Sequence, residues 1–474
     1  MGMMMSTTKN LADHAISFQL SDMRPETVEF AQLRILDTVA VAIGGSTEPP
    51  SKIFADLDAD YGSTGPCSMF GLSRSTSPMQ AAVYNGICGH ALDYDDQTFS
   101  SYIKTSATIV PPALALAELG NATGKAFLEA YIVGFELSTR IGWGAGFNTM
   151  HAGWHPNGVI PVMGAAAGGV RLLGGNSEQV RYAIGIAASS SSGIRKNVNS
   201  MTKSYHVGHA SGQGLVAAQL AIRGFTSDPE VLDQAPSEGA YLGHGHFSWP
   251  QVFIGEGKFD LAAMERGLGS VFALDIGNTN TRFHPSTTFT QTVIDEVLEL
   301  VERHKLEADQ IQSMSIGVTP HALRAACWEI PTNVYTARFS LPFTAAVSVI
   351  DKEVTLRQFT DARMFDPKVH ELILRIKTYV PDELANVEQW SDSELSPASC
   401  IIDIVLYDGR KISGQRNTTR GLPGTSITWK DMAGKFEECA EGIIPPRAGE
   451  RFIEVLRNLP DLKDINQLSA SLRG

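Results

Sequence analysis

The sequence predicts a mainly α protein, a large all-α helical bundle domain that is discontinuous in sequence and interrupted by a smaller α+β domain. Three observations carry this. Through the first 265 or so residues apolar side chains recur at helical spacing, many of them among alanines and glycines that let backbones approach closely. After about residue 270 the texture changes to an amphipathic helix, short strands and an Asp-Gly turn. From about residue 420 the helical pattern returns. The expected limits are 1–268 with 420–474 for the helical domain and 269–419 for the α+β domain.

The first strong helix opens at Pro25-Glu26, carries Val28, Ala31, Ile35, Val39 and Val41 as an apolar stripe, and stops at Gly44-Gly45. Further helices are expected over 79–92, 112–119, 126–141, 160–173 and 178–188, with a break at Ser189–Gly193 and another helix over 211–223. In the α+β domain, 290–304 places Val293, Ile294, Val297, Leu300 and Val301 on one face. A strand is expected over 313–319. Asp366-Pro367 starts a helix carrying Val369, Leu372, Ile373 and Ile376. Segments 400–407 and 410–415 flank Asp408-Gly409 as a hairpin. Tyr335 and Arg338 read as core plus one surface arginine. Helices over 428–440 and 449–458 complete the chain.

Composition narrows the function. A chain of 474 residues with 43% hydrophobic and 19% charged residues folds into two or three globular domains. Five scattered cysteines without CxxC spacing read as reduced thiols of an intracellular protein, and no apolar run approaches the roughly 20 residues that cross a bilayer. The first residues lack a secretory pattern, so a cytoplasmic location is expected, an organellar address remaining open. Between Leu137 and Ser227 the chain carries one carboxylate, Glu178, although its average of 51 acids in 474 residues would place about ten there. Against it stand Arg140, Arg171, Arg181, Arg195, Lys196, Lys203 and Arg223, with His151, His155, His206 and His209. Net charge is -13 and the pI about 5.4, which disfavours nucleic-acid binding, a property of basic domains. A pocket for a small anion fits better, with no membrane or nucleic-acid partner.

Four constellations could carry chemistry. In Gly89-His90-Ala91-Leu92-Asp93-Tyr94-Asp95-Asp96, three carboxylates within four residues could anchor basic groups, raise one pKa or hold a hard metal. A solvated helix end with capping aspartates competes. Gly153-Trp154-His155-Pro156-Asn157-Gly158 presents a histidine pinned before proline, although a loop histidine is often structural. Lys203 with His206 and His209 suits a carboxylate or phosphate. The competing reading is a solvated basic turn, and there is no GxxxxGK[ST] cradle. Arg282 and His284, before a helix start, suit an anion or mere capping. His244-Gly245-His246 offers two metal ligands without the acids or cysteines to complete a site, so no metal is expected.

In this order, these pieces resemble the MmgE/PrpD family. The matching stretches are Ile35–Ala40, Gly89–Asp96, Gly153–Pro156, Gly164–Ala167 with Arg171–Gly174, Met201–Lys203 with His206, Arg223–Thr226 and Arg338–Pro342. The resemblance implies a helical domain with the α+β domain as a lid. It implies cofactor-independent enzymes on small polycarboxylates, among them 2-methylcitrate dehydratase, cis-aconitate decarboxylase and iminodisuccinate epimerase, acting at the cleft between the domains, usually as homodimers. It places Asp93, His155 and Lys203 at active-site positions, and Asp96 and Arg282 in matching segments. Two departures stand out: Lys104 takes the place of a histidine that dehydratase and decarboxylase members keep, and Phe343 that of a tyrosine.

The expected catalytic set is therefore Asp93, His155, Lys203 and Lys104, with Asp96, His206, Arg282 and His284 binding substrate, and no metal or cofactor. The chemistry is proton transfer or CO2 loss beside a carboxylate, through an enediolate-like dianion that cations must stabilise. Three activities fit: a lyase (dehydratase or decarboxylase), an epimerase with Lys104 and His155 as opposed bases, or a non-catalytic binder.

Overall fold

The computed structural model describes residues 6–233, 247–275, 279–387, 395–422 and 425–472, and the fold is mainly α. The chain divides into two units, Met1–Asn280 with Thr428–Gly474, and Thr281–Ile427. The boundaries thus fall at 280/281 and 427/428, where the sequence pattern places them at 268/269 and 419/420. Thr279–Asn280 pairs antiparallel with Gln97–Thr98, which keeps that segment in the first unit.

The first unit is built on helices Pro25–Gly45, Pro78–Ala91, Thr105–Gly120, Gly124–Ala145, Pro161–Leu172, Ser177–Ser189 and Thr202–Ile222. The C-terminal segment returns as Trp429–Ala440, which lies along Pro25–Gly45 and explains why the helical domain is discontinuous. Two helices run further than their sequence signals. Thr105–Gly120 begins well before the expected start at 112 and carries Pro111 and Pro112 inside. Proline at 112 removes the N–H that would serve the Thr108 carbonyl, and Ser211 Oγ donates to that carbonyl at 3.0 Å instead. Thr202–Ile222 includes the Lys203–His209 stretch, which is therefore helical and not a loose basic turn.

Small residues set the spacing between these helices. A Cβ at Gly86 would stand 2.8 Å from Gly208 Cα, and one at Gly208 would stand 2.4 Å from the Val83 carbonyl oxygen. Helices Pro78–Ala91 and Thr202–Ile222 meet backbone to backbone there, which brings the start of one close to the end of the other. Gly208→Val is expected to destabilise the protein by about 1–3 kcal/mol by overpacking, read as a lower denaturant midpoint; an unchanged midpoint would show that this approach tolerates side chains.

The second unit holds a four-stranded sheet in the order Ile376–Tyr379, Ile311–Val318, Cys400–Leu406, Lys411–Arg416. The first pair is parallel and the others antiparallel. Cys400–Leu406 alternates buried and half-buried residues, as a strand with one face inward should, and the Asp408-Gly409 hairpin forms. Helix Thr288–His304 lies against the last two strands and against helix Leu341–Asp351. Ile376 does not extend the helix begun at Pro367, which ends at Ile373; it opens the strand paired with Met314. Arg338 is 2% exposed and is no surface arginine. Its carbonyl accepts from the Thr287 N–H at 2.9 Å, which draws it under the start of helix Thr288–His304. Among the described residues no helix is long and apolar enough to cross a membrane.

Candidate functional site

Five segments of the first unit converge. His90 sits in the last turn of helix Pro78–Ala91 and Asp93 follows with a φ of 53°, a left-handed backbone that β-carbon sterics disfavour. The turn carries Asp93 to Lys203, in the first turn of Thr202–Ile222, where the ammonium donates to Asp93 Oδ2 at 2.6 Å. Asp95 Oδ2 accepts from His90 Nδ1 at 2.9 Å, and Lys104 Nζ stands 3.7 Å from Asp95 Oδ1. His90, Asp93, Asp95 and Lys104 are all buried.

His155 enters from the loop before Pro156. Its N–H donates to the Gly193 carbonyl at 2.8 Å, so the Ser189–Gly193 break serves as the backbone seat of the histidine. The ring lies nearly parallel to His90, centroids 6.0 Å apart. Its Nδ1 is 3.0 Å from His206 Nδ1 and its Nε2 is 2.9 Å from Asn157 Nδ2. Asn157 Oδ1 meets the Lys104 backbone N–H at 2.8 Å. That N–H can only donate, so Asn157 must turn its oxygen to Lys104 and its NH2 to His155. His155 Nε2 therefore accepts, and the neutral ring keeps its proton on Nδ1, toward His206. His206 Nδ1 then accepts, and His206 carries its own proton on Nε2. One turn on, His209 Nδ1 lies 3.2 Å from Ser192 Oγ.

Burial holds this histidine group neutral. It pushes His155 well below the usual imidazole range, helped by the neighbouring His90, His206 and Lys203. His206 is brought down to about 4, and His90 and His209 are lowered for the same reason. His14, buried elsewhere in the unit, also falls to about 4. Such groups stay neutral in the native state while the unfolded chain binds protons below about pH 6.5. Stability is therefore lost as pH falls from about 6.5 toward 4. Buried Asp96, raised to about 6, and Glu136, also raised, act in the opposite sense, two carboxyls against five imidazoles. The melting temperature should drop on acidification from pH 7 to 4.5; a flat profile would contradict neutral buried histidines.

The remaining expected residues fall elsewhere. Asp96 accepts from Ser106 Oγ, which also meets Tyr131 at 2.8 Å, and it belongs to a buried polar layer of the first unit. Arg282 and His284 belong to the second unit. There Arg282 Nε donates to Thr288 Oγ1 at 3.3 Å. His284 is held by the Val354 carbonyl at 2.8 Å and by Asp295 at 2.9 Å, so both of its ring nitrogens are engaged within that unit. His244 and His246 lie outside the described residues. Sequence reasoning placed His90, Asp95 and Asn157 within its candidate motifs but gave none of them a site role. All three lie inside the Gly89–Asp96 and Gly153–Gly158 stretches, one to three positions from a chosen residue, and that proximity was the available signal.

Potential ligand atoms of His90, Asp93 and Asp95 lie within 4.8 Å of one another, the composition of a hard-cation site. Lys203 and Lys104 already set positive charge against the two carboxylates. The arrangement is therefore two lysine–aspartate pairs beside neutral imidazoles, chemistry suited to gathering an anion and moving a proton beside it.

A mainly α fold with a buried cluster of lysine–aspartate pairs and neutral histidines defines the class. The chain belongs to the MmgE/PrpD family: the MmgE/PrpD N-terminal domain matches residues 9–245 and the MmgE/PrpD C-terminal domain residues 284–461. It is 25% identical to the cis-aconitate decarboxylase of Homo sapiens, over 100% of this chain and 95% of that protein. It is 24% identical to the enzyme of the same name from Mus musculus, over 100% and 94%. It is also 24% identical to a cis-aconitate decarboxylase of Aspergillus terreus, over 95% and 89%.

Proposed function

We propose that this protein is a cofactor-independent lyase of small polycarboxylates, removing CO2 from a cis-aconitate-type acid or water from a 2-alkylcitrate-type hydroxy acid. The observation that carries the reading is the meeting of Lys104 and Lys203 with the neutral rings of His90 and His155 in one buried cluster. Either reaction passes through a carbanion beside a carboxylate, and preorganised cations in a dry site stabilise its charge far better than water does. A lysine ammonium has three donors, so holding Asp93 is compatible with holding a substrate carboxylate. Lys104 supplies positive charge beside Asp95 in this reading and is not the base. No step passes through Arg282 or His284. The names of the full-length relatives favour the decarboxylation branch.

Incubation with cis-aconitate, 2-methylcitrate and related acids in D2O, followed by NMR, tests this. CO2 release or loss of water supports the lyase. Deuterium exchange without net loss would make the protein an epimerase, and silence across the panel would make it a binder. EDTA should leave turnover unchanged; inhibition reversed by a divalent ion would turn His90, Asp93 and Asp95 into a metal site.

A further inference from the structure

We infer that His90 is a catalytic residue and that its Nε2 exchanges the proton with substrate carbon, with Asp95 as its positioning residue. This rests on the lyase reading and deepens it. Three observations lead here. Both ring nitrogens of His155, the histidine the sequence points to, face protein groups: Nε2 accepts from Asn157 and Nδ1 lies against His206. His206 is in turn committed to His155 through Nδ1. His90 differs. Its Nδ1 is fixed on the Asp95 carboxylate at 2.9 Å, while its buried Nε2 has no hydrogen-bond partner among the described residues. A buried polar atom without a partner costs about 1–3 kcal/mol and calls for an explanation, and a catalytic role is one.

The geometry is that of an oriented acid–base group. A carboxylate accepting from Nδ1–H fixes the tautomer and leaves the Nε2 lone pair as the reactive position, steadying the imidazolium when a proton arrives. His90 is also placed for an anionic substrate, since its ring lies against His155 and its ligand atoms stand within 4.8 Å of those of Asp93, the partner of Lys203. In decarboxylation, the C–C bond to one carboxylate breaks and CO2 leaves. The electron pair stays on the carbon chain as an allyl carbanion conjugated with a remaining carboxylate. The ring, neutral in the empty site, takes a proton from water as the substrate carboxylates set negative charge beside it, and Nε2 of the resulting imidazolium gives that proton to the carbon and forms the new C–H bond. His90 returns to the neutral Nδ1–H form on Asp95. In dehydration the neutral ring starts the reaction instead: Nε2 takes the C–H proton, the C=C bond forms, and the hydroxyl leaves as water with the proton His90 returns.

The test compares His90→Gln with wild-type protein on cis-aconitate and 2-methylcitrate, with citrate binding measured by calorimetry. Turnover is expected to fall by roughly 10²–10⁴-fold while citrate binding is retained. Asp95→Asn should lower kcat and leave KM unchanged, the mark of a group that acts only in the transition state. A folded His90→Gln protein that binds citrate and turns over at the wild-type rate would overturn the assignment, the more so if His155→Gln is dead. Should His90→Gln fail to fold, nitrogen NMR of labelled histidines in wild-type protein decides. Citrate should move the His90 Nε2 resonance and leave its Nδ1–H in place; an unmoved Nε2 would overturn it. Failure of the lyase reading looks different: wild-type protein itself would leave every acid of the panel unchanged, and the role of His90 would fall with it.

Discussion

Replacing Lys203 by alanine is expected to lower turnover by roughly 10²–10³-fold, about 2.7–4 kcal/mol of barrier, the cost of removing one preorganised donor from a developing oxyanion. The side chain is well placed to have this effect. It rises from the first turn of helix Thr202–Ile222, is held at 2.6 Å by Asp93, and is mostly shielded from water. Removing it takes away a cation and leaves Asp93 buried without that partner, so negative charge accumulates where the substrate brings more. Lys203→Arg keeps the charge but changes its shape, so activity should fall between the two. Steady-state kinetics on whichever acid the wild-type protein converts, with a melt to confirm folding, makes the measurement. Near-normal activity of the alanine variant would remove Lys203 from the chemistry.

The largest structural effect is expected at Lys435. Its ammonium lies 2.6 Å from Asp37, donates to the Tyr94 carbonyl at 2.8 Å, and sits 3.9 Å from the centroid of the Tyr94 ring. Lysine and aspartate are each about 1% exposed. Lys435→Met keeps much of the volume but strands a buried carboxylate, a change that typically costs about 3–5 kcal/mol. It also loosens Tyr94, which lies between Asp93 and Asp95, so lost stability should come with lost activity. The double variant Lys435→Met, Asp37→Leu should recover much of the stability, since a well-packed apolar pair often replaces a buried ion pair at little cost. Denaturant unfolding of the single and double variants checks this; a single variant as stable as wild type would show that Asp37 is neutralised in another way.

How much of this was legible in the sequence depends on the range of each signal. The helix at Pro25–Gly45 and the Asp408-Gly409 hairpin announce themselves because their signals are local and agree with their packing. The helix through Lys203 was hidden because Gly208, Gly212 and Gly214 lower its intrinsic propensity while serving close packing. Pro111 and Pro112 read as a start for the same kind of reason: only Ser211, about a hundred positions away, shows how the orphaned carbonyl is satisfied. The acid-poor stretch pointed toward Lys203 and His155, but its logic was too generous. Arg140 and Arg171 are spent mainly on backbone carbonyls and on Glu136 and Glu129, and Arg195 on the Met150 carbonyl. A lack of acids marks both an anion site and a set of structural arginines. Nor could spacing separate the three aspartates of 93–96. The fold gives one to Lys203, one to His90 and one to Ser106, and these partners come from different helices.

The central claim is that paired lysine cations in the first unit gather a polycarboxylate for proton transfer by buried neutral imidazoles. Calorimetric titration of citrate into wild-type protein and into the double variant Lys104→Met, Lys203→Met tests it most directly. Wild-type protein should bind citrate with an affinity that weakens as salt rises, and the folded double variant should lose that binding. Equal affinity in the two proteins would contradict the account.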